Sequence, residues 1–159
     1  MSGAYKSEII SLLNQSRVGF LATTGKDGPE SSLASYAIHH GNILLHLSSL
    51  ARHTGNITSH PKVGFMICTP ETMAESPLAL PRLSLQGDIS TMTGETLESA
   101  IEAYLKAIPE ARPLFGFPDF TLFKLSVSDI HWVGGFGSAR KIAVNGWYTL
   151  LNSGAGSHG

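Results

Sequence analysis

The sequence predicts a mainly β fold, a β-barrel of roughly six to eight mostly antiparallel strands with two or three inserted α-helices. Short apolar segments rich in β-branched residues follow one another and are separated by turns that contain glycine. Only three segments of the chain repeat apolar residues with a helical spacing. Because strands and helices do not alternate regularly, the pattern favours a barrel over a doubly wound parallel sheet.

The first third of the chain predicts one helix followed by three sequential antiparallel strands. In residues 4–15, the residues Ile9, Leu12 and Leu13 have the spacing of one helix face. The segments GKDG and HHGN contain the residue types that favour tight turns, so they separate the strands predicted next. Those strands are predicted at residues 18–24, 29–38 and 43–47.

The middle of the chain predicts a helix, two strands and an irregular segment between them. The helix is predicted from Ser49 to Ser59 and ends before Pro61. Gly87 interrupts an alternating apolar pattern, which predicts a β-bulge or a close approach of another backbone segment. The strands are predicted at residues 62–68 and 82–92, and the proline-rich residues 69–81 lie between them.

The last third of the chain predicts a second amphipathic helix and the strands that close the barrel. Residues 93–108 repeat apolar residues at helical spacing after a threonine that is followed by glutamates. Residues 109–120 are predicted to be a turn. Closing strands are predicted at residues 121–127, 130–137 and 139–144, with a glycine-rich break at Gly134, Gly135 and Gly137.

Length and composition predict one domain that has a partner subunit. The 159 residues suit a single domain, expected over residues 1–150, with a flexible tail at 151–159. Charged residues make up 14% of the chain, against about 25% in typical proteins, which favours burial of part of the surface in a homo-oligomer. The net charge of −1 and the absence of a basic run argue against a nucleic-acid partner.

Cysteine content and the distribution of apolar residues predict a cytoplasmic protein. Cys68 is the only cysteine, so no disulfide framework exists, and its apolar surroundings predict a small buried side chain. The first residues lack a basic segment followed by a long apolar one. No window approaches the roughly 18 apolar residues of a membrane-spanning helix, so no membrane partner is expected.

The segment LSSLARHTGN places cations where a helix normally favours acidic side chains. Arg52 and His53 fall in the first predicted turn, whereas the helix dipole stabilises anions there by about 0.3–1 kcal/mol each. One explanation is an anion bound to the free N–H groups of that turn, which makes the cations its partners. The alternative is a pairing of Arg52 with a nearby carboxylate. Ser48 and Ser49 are predicted to cap the helix in either case.

Four segments in this order resemble the pyridoxamine 5′-phosphate oxidase-like, FMN-binding split-barrel family. They are ATTGKDGPESSLASYA, ILLHLSSLARHTGNITSHPKVGFMI, PRLSLQGD and HWVGGFGSAR. The similarity covers roughly residues 6–143 and is greatest to the branch associated with heme-iron utilisation. It implies a homodimer of split barrels with two FMN molecules in the clefts between the subunits.

The resemblance also implies which residues bind the flavin. Arg52 and His53 would neutralise its phosphate, and N–H groups from Ser49 to Ala51 would bind the phosphate oxygens. His46 and Leu47 would border the ring, and Arg82 would either contact the ring or be an exposed strand end. The strand that lines the isoalloxazine would be Ser32, Leu33, Ala34, Ser35, Tyr36 and Ala37.

Two positions differ from the vitamin-processing oxidases that the family includes. Ser32 stands where those enzymes have a phosphate-binding arginine, and His53 stands where they have lysine.

The expected function is an FMN-dependent oxidoreductase that acts on a tetrapyrrole or a small reducible compound, although no catalytic residue is evident. Alternatives are a non-catalytic carrier of heme or flavin and a chain that has kept the fold but lost the cofactor.

Histidine is abundant, but its spacing does not match a protein-built metal site. The seven histidines follow no zinc pattern, and one cysteine cannot complete such a site. A single histidine can nevertheless be the axial ligand of heme, so the resemblance makes heme a possible ligand or substrate. The sequence does not distinguish among His39, His40, His46, His53, His60, His131 and His158.

Overall fold

The computed structural model describes residues 4–135 and 138–153, and its central feature is one antiparallel sheet. Within the described residues the sheet has eight strands. They are β1 (Val18–Gly25), β2 (Gly28–Ser35), β3 (Ala37–His39), β4 (Asn42–Ser48), β5 (Lys62–Cys68), β6 (Arg82–Thr91), β7 (Phe120–Val133) and β8 (Ala139–Ile142). The predicted mainly β class and the antiparallel arrangement are therefore confirmed.

The sheet curls into a barrel that is split between its two end strands. The strand order is β2-β1-β5-β6-β7-β4-β3, and β8 pairs with β7. Although β2 and β3 lie at opposite ends of this order, only Tyr36 separates them along the chain. The two ends must therefore meet, yet no ladder of hydrogen bonds joins β2 to β3 among the described strands. The predicted barrel is an open one.

Four α-helices accompany the sheet in the described part of the chain. They are α1 (Ala4–Gln15), α2 (Arg52–Ser59), α3 (Leu97–Ala107) and α4 (Val144–Ser153). The first helix is confirmed, and its predicted apolar face is buried. Short 3₁₀-helices occupy residues 71–73, 77–79, 94–96 and 109–116. None of the helices in the described residues has the length and apolar character of a membrane span.

Turns and the predicted bulge follow from local sequence. The β3–β4 turn has positive φ at His40 (52°) and Gly41 (80°), as a two-residue type I′ turn requires. The register of β6 against β7 shifts between Gln86 and Gly87. A Cβ atom at Gly87 would collide with the carbonyl oxygen of Ser126. Both the predicted turn and the predicted bulge with close backbone approach are confirmed.

The C-terminal part of the structure differs from the prediction. One 14-residue strand, β7, replaces the two strands predicted within residues 121–137. The last strand was predicted to end at residue 144 and a flexible tail to begin at residue 151, but helix α4 occupies Val144–Ser153. Trp147 and Leu151 on this helix are fully buried, and their burial holds the helix in place. Gly137 and the rest of the tail, residues 154–159, lie outside the described residues.

The buried apolar residues form two clusters, and the second one positions the candidate site. The larger cluster fills the curled sheet and includes residues of α1 and α4. The smaller cluster packs α3 against β3, β4 and β7 through Ala37, Leu44, Ala100, Tyr104 and Leu122. Since burial of apolar surface contributes about 25 cal/mol per Å², this packing fixes α3 against the outside of the barrel.

Candidate functional site

An apolar cavity of about 410 Å³ lies where β2 and β4 meet the region after α3. Its volume is within the range of small-molecule sites. Its apolar walls are formed by Leu33, Ala34, Leu47, Ile108, Leu114 and Phe120. Polar groups converge on it from His46, Ser48, His53, Tyr104 and Glu110. An apolar cavity with a few convergent polar groups is the usual form of a ligand site.

A second cavity, also about 410 Å³, adjoins the apolar one and is polar. Its lining consists of Thr23, Glu30, Ser31, Ser32, Arg52 and His53. Because His53 lines both cavities, its imidazole lies at the boundary between the apolar and the polar space. One ligand with an apolar ring and a polar group could therefore extend past His53.

His53 has one ring nitrogen beside a protein hydroxyl and one that is buried without a partner in the described residues. Its Nδ1 lies 3.1 Å from the Ser32 Oγ, while its buried Nε2 has no hydrogen-bond partner among the described residues. Burial lowers the pKa of His53, so its neutral form is favoured. When Nδ1–H donates to the Ser32 hydroxyl, Nε2 carries the lone pair that can bind a metal.

His46, which also lines the apolar cavity, has a second buried nitrogen without a partner in the described residues. Its ring stacks on Phe115, with centroids 3.7 Å apart and planes inclined by 6°, and its centroid is 5.7 Å from that of Tyr104. The buried Nδ1 has no hydrogen-bond partner in the described chain. Burial lowers the pKa of His46 and raises the pKa of Tyr104 to about 12, so both side chains are neutral near pH 7.

A carboxylate from β2 compensates for the cation at the start of α2. The Arg52 Nη2 donates to the Glu30 Oε2 at 2.8 Å, and Asn56 Nδ2 donates to Glu30 Oε1 at 2.9 Å. The Arg52 side chain is 84% exposed, so this ion pair contributes little to stability. The structure therefore shows the alternative explanation, in which Arg52 pairs with a protein carboxylate.

The turn before α2 does not offer the free amide groups that the sequence predicted. The amide of Ser49 donates to Asp119 O at 2.6 Å, that of Leu50 to Ser48 Oγ at 3.1 Å, and that of Ala51 to Ser48 O at 3.2 Å. The helix begins only at Arg52, and its N-cap residue Ala51 forms no side-chain cap. The predicted helix caps at Ser48 and Ser49 are therefore wrong, because the chain makes a separate turn there.

The structure brings most, but not all, of the predicted site residues together. Six of them line the apolar cavity: Leu33, Ala34, Ser35, His46, Leu47 and His53, the last of which also lines the polar one. Three line the polar cavity, namely Ser32, Arg52 and His53. Tyr36 and Ala37 line a different cavity, of about 280 Å³, beside α1 and α3. Ser49 and Arg82 line none of the cavities described here, and Arg82 donates to the Leu80 carbonyl at 3.0 Å.

One wall of the cavity was not predicted. Tyr104 and Ile108 come from α3 and its end, and Leu114 comes from the 3₁₀-helix at residues 109–116, which was predicted to be only a turn. Phe115 from the same segment stacks on His46. The apolar spacing of residues 97–108 indicated a buried helix face, but it did not indicate that this face borders a cavity.

The described residues contain no group of three or more histidine, cysteine, aspartate or glutamate side chains that could hold a metal ion. A protein-built metal site would need several such ligands around one point. Heme differs in this respect, because its porphyrin supplies four nitrogens and the protein needs to supply only an axial ligand. The two histidines that line the cavity, His46 and His53, each have a buried ring nitrogen without a hydrogen-bond partner among the described residues.

Sequence comparison finds heme proteins among the relatives. The chain is 26% identical over 152 residues to the heme oxygenase HutZ of Vibrio cholerae, covering 90% of this chain and 84% of HutZ. HutZ is also described as a heme storage protein. The chain is 29% identical to the non-canonical chloroplastic heme oxygenase HOZ of Arabidopsis thaliana, covering 83% of this chain but only 41% of HOZ.

Comparison with solved structures, like the sequence comparison, finds a heme-binding protein among the similar proteins. A heme-binding protein from Mycobacterium smegmatis superposes with a TM-score of 0.84 at 28% identity, covering 92% of this chain and 60% of that protein. A putative pyridoxamine 5′-phosphate oxidase from Listeria innocua superposes with a TM-score of 0.64 at 18% identity, which shows a shared fold; it covers 82% of this chain and 98% of that protein. The chain thus spans less than two thirds of the mycobacterial protein.

A match to a protein-family model identifies the family of the chain. Residues 11–149 match the family model described as the CREG β-barrel. The matched residues include every strand of the sheet and most of α4. Together with the heme-related relatives and the oxidase-like fold, this match confirms the resemblance to the split-barrel proteins of heme utilisation. The chain belongs to the CREG β-barrel family.

Proposed function

We propose that the chain binds heme in the apolar cavity and that His53 Nε2 is the axial ligand. The observation that carries this proposal is a buried imidazole nitrogen without a protein partner at the edge of an apolar space. Imidazole is a preferred ligand of heme iron, and apolar walls suit the porphyrin faces. The Ser32 hydroxyl, 3.1 Å from Nδ1, would fix the tautomer that leaves Nε2 free.

The proposed reaction is oxidative degradation of heme, as the name of the relative HutZ suggests. Bound heme would supply the redox chemistry, because its iron activates oxygen. The residues of this chain would hold and orient it. His53 would remain neutral because burial lowers its pKa, and Leu33, Leu47 and Phe120 would exclude water. A heme carrier would use the same cavity without turnover, so the absence of turnover would identify that alternative.

FMN is the second candidate, and the adjoining polar cavity favours it. An apolar space for a ring beside a polar space with an exposed arginine matches a molecule that joins an isoalloxazine to a phosphate. Against this, Arg52 is bound to Glu30, and the pKa of His53 is lowered so that its cationic form is disfavoured. The amides of Ser49 to Ala51 are also occupied. These contacts favour heme over FMN.

Parallel titrations of the purified protein with hemin and with FMN separate these candidates. We expect hemin to produce a shifted Soret band that saturates at one hemin per chain, and FMN to keep its free absorbance and fluorescence. Adding a reductant and oxygen to the hemin complex should then bleach the Soret band. Tight FMN binding without hemin binding would contradict the proposal.

We also propose that the chain is a homodimer, which is the partner that the sequence predicted. Three exposed apolar side chains, Leu33, Phe20 and Met66, are register neighbours across β2, β1 and β5. Contiguous apolar surface of this kind is typical of protein interfaces. Leu33 also lines the apolar cavity, so a second copy on this row would border the ligand site. The predicted cytoplasmic location remains a prediction.

Changing Phe20 to glutamate tests the dimer. The parent chain should sediment at twice the mass of one chain, whereas Phe20→Glu should sediment as a monomer, because it places a charge in the centre of the apolar row. Leu78→Glu is the matched control, since Leu78 is exposed in the 3₁₀-helix at residues 77–79, outside the row. A parent chain that sediments as a monomer would contradict the proposal.

A further inference from the structure

The charge of the apolar cavity does not match the ligand proposed for it. Heme carries two propionate carboxylates, which are anionic near pH 7. Among the residues that line the cavity, Glu110 is the one with a formal charge, and that charge is negative. A cation from beyond the lining is therefore needed to bind a carboxylate ligand there.

Arg17 does not line the apolar cavity itself but forms an ion pair with Glu110, which does. Its Nη1 donates to the Glu110 Oε1 and its Nη2 donates to the Glu110 Oε2, both at 2.9 Å, so the pair is bidentate. Nη1 also lies 3.4 Å from the Ala107 carbonyl oxygen at the end of α3. The side chains of Arg17 and Glu110 are 53% and 63% exposed, so water screens their attraction and the pair can exchange partners.

We propose that Arg17 binds a carboxylate of the ligand and that Glu110 occupies Arg17 until the ligand arrives. This inference rests on the proposed function and adds the residue that recognises the propionate. Guanidinium binds any carboxylate with the same two parallel hydrogen bonds, so a propionate can replace Glu110 without a change in the geometry of Arg17. The displaced Glu110 side chain can then turn towards water, because it is exposed.

The other arginine beside the site is less suited to this exchange. Arg52 is bound to Glu30, but Glu30 also accepts a hydrogen bond from Asn56 and is 27% exposed. Displacing Glu30 would therefore break two contacts of a carboxylate that is partly shielded from water. Neither arginine lines the apolar cavity, but Glu110, the partner of Arg17, does, whereas Glu30 lines only the polar cavity. Arg17 and Glu110 are thus the pair that an incoming carboxylate can separate most easily.

The two members of the pair should affect hemin affinity in opposite directions. We expect Arg17→Ala to weaken hemin binding by about tenfold, because it removes a charge-assisted contact. Glu110→Gln should tighten hemin binding by several-fold, since it removes both the competitor for Arg17 and the negative charge of the cavity. Asp129→Asn is the matched control, because it breaks an ion pair with Lys141 that lies outside both cavities, and it should leave hemin affinity unchanged.

Titration with the dimethyl ester of heme separates recognition from folding. The ester has no carboxylate, so its affinity should be equal for the parent, Arg17→Ala and Glu110→Gln. An equal loss of hemin and ester on Arg17→Ala would overturn the inference, as would a weaker hemin affinity in Glu110→Gln. If the parent binds hemin and Arg17→Ala changes nothing, the inference fails while the proposed function stands. If the parent binds no hemin, both fail.

Discussion

Replacing His53 by alanine is expected to weaken hemin binding by about 100-fold or more, the largest functional effect of any single change in this site. The substitution removes the ring whose Nε2 has no protein partner, and with it the axial contact to iron. Ser32→Ala should have a smaller effect of about 10–100-fold, because it removes only the hydroxyl 3.1 Å from Nδ1. Absorbance titration of the Soret band measures both.

Two further histidine variants make this result specific. His131→Ala is the matched control, because His131 is exposed on β7 outside both cavities and should leave hemin affinity unchanged. His46→Ala retains His53 and should preserve the ligand-field bands, although it removes the ring stacked on Phe115. A larger loss from His46→Ala than from His53→Ala would contradict the assignment and would identify His46 as the ligand.

The same assignment fixes the direction of the pH dependence. Iron binds the neutral imidazole, and burial lowers the pKa of His53 below its ordinary value of 6.5. Hemin affinity should therefore stay constant as the pH falls to about 6.5 and decline only at lower pH, when His53 becomes protonated.

Replacing Trp147 by alanine is expected to destabilise the fold by about 3–5 kcal/mol, the largest effect on stability that we predict. Trp147 is fully buried on α4, and its Nε1 donates to the Gly41 carbonyl at 2.9 Å. The substitution leaves a large cavity and also removes the donor for that carbonyl. Equilibrium denaturation in urea measures the free energy of unfolding.

The control lies on the same helix. Val144 is exposed at the start of α4, so Val144→Ala should change the free energy of unfolding by less than about 0.5 kcal/mol. Trp147→Phe keeps most of the apolar volume and should cost about 1–3 kcal/mol, chiefly for the unpaired Gly41 carbonyl. A loss below 1 kcal/mol in Trp147→Ala would show that α4 does not stabilise the barrel.

Most of the sheet could be predicted from the sequence because its signals are local. The turn between β3 and β4 needs positive φ at two residues, and Gly41 satisfies this need directly. Helix α4 could not be predicted, because its stability comes from distant contacts. Trp147 binds the Gly41 carbonyl, and Tyr148 donates to Asn42 Oδ1 at 2.9 Å, both 106 positions away in the sequence.

The site was predictable on one side only. Strands β2 and β4 carry residues whose motifs identified them, and these residues do line the cavity. The opposite wall comes from α3 and the 3₁₀-helix at residues 109–116, and Phe115 of that helix stacks on His46, a contact between segments that no local pattern connects. The cation at the start of α2 does have an anionic partner, as one expects from its position at the positive end of the helix dipole. That partner is the carboxylate of Glu30, which lies 22 positions away in the sequence and is brought to Arg52 by the pairing of β1 with β2. The binding of a phosphate by Arg52 remains a prediction.

A crystal structure of the protein with hemin tests the central claim most directly. The proposal predicts porphyrin in the cavity between β2, β4 and the end of α3, with iron within bonding distance of His53 Nε2. Porphyrin bound elsewhere on the chain, with His53 still directed only at Ser32 and the cavity filled by water, would contradict the account.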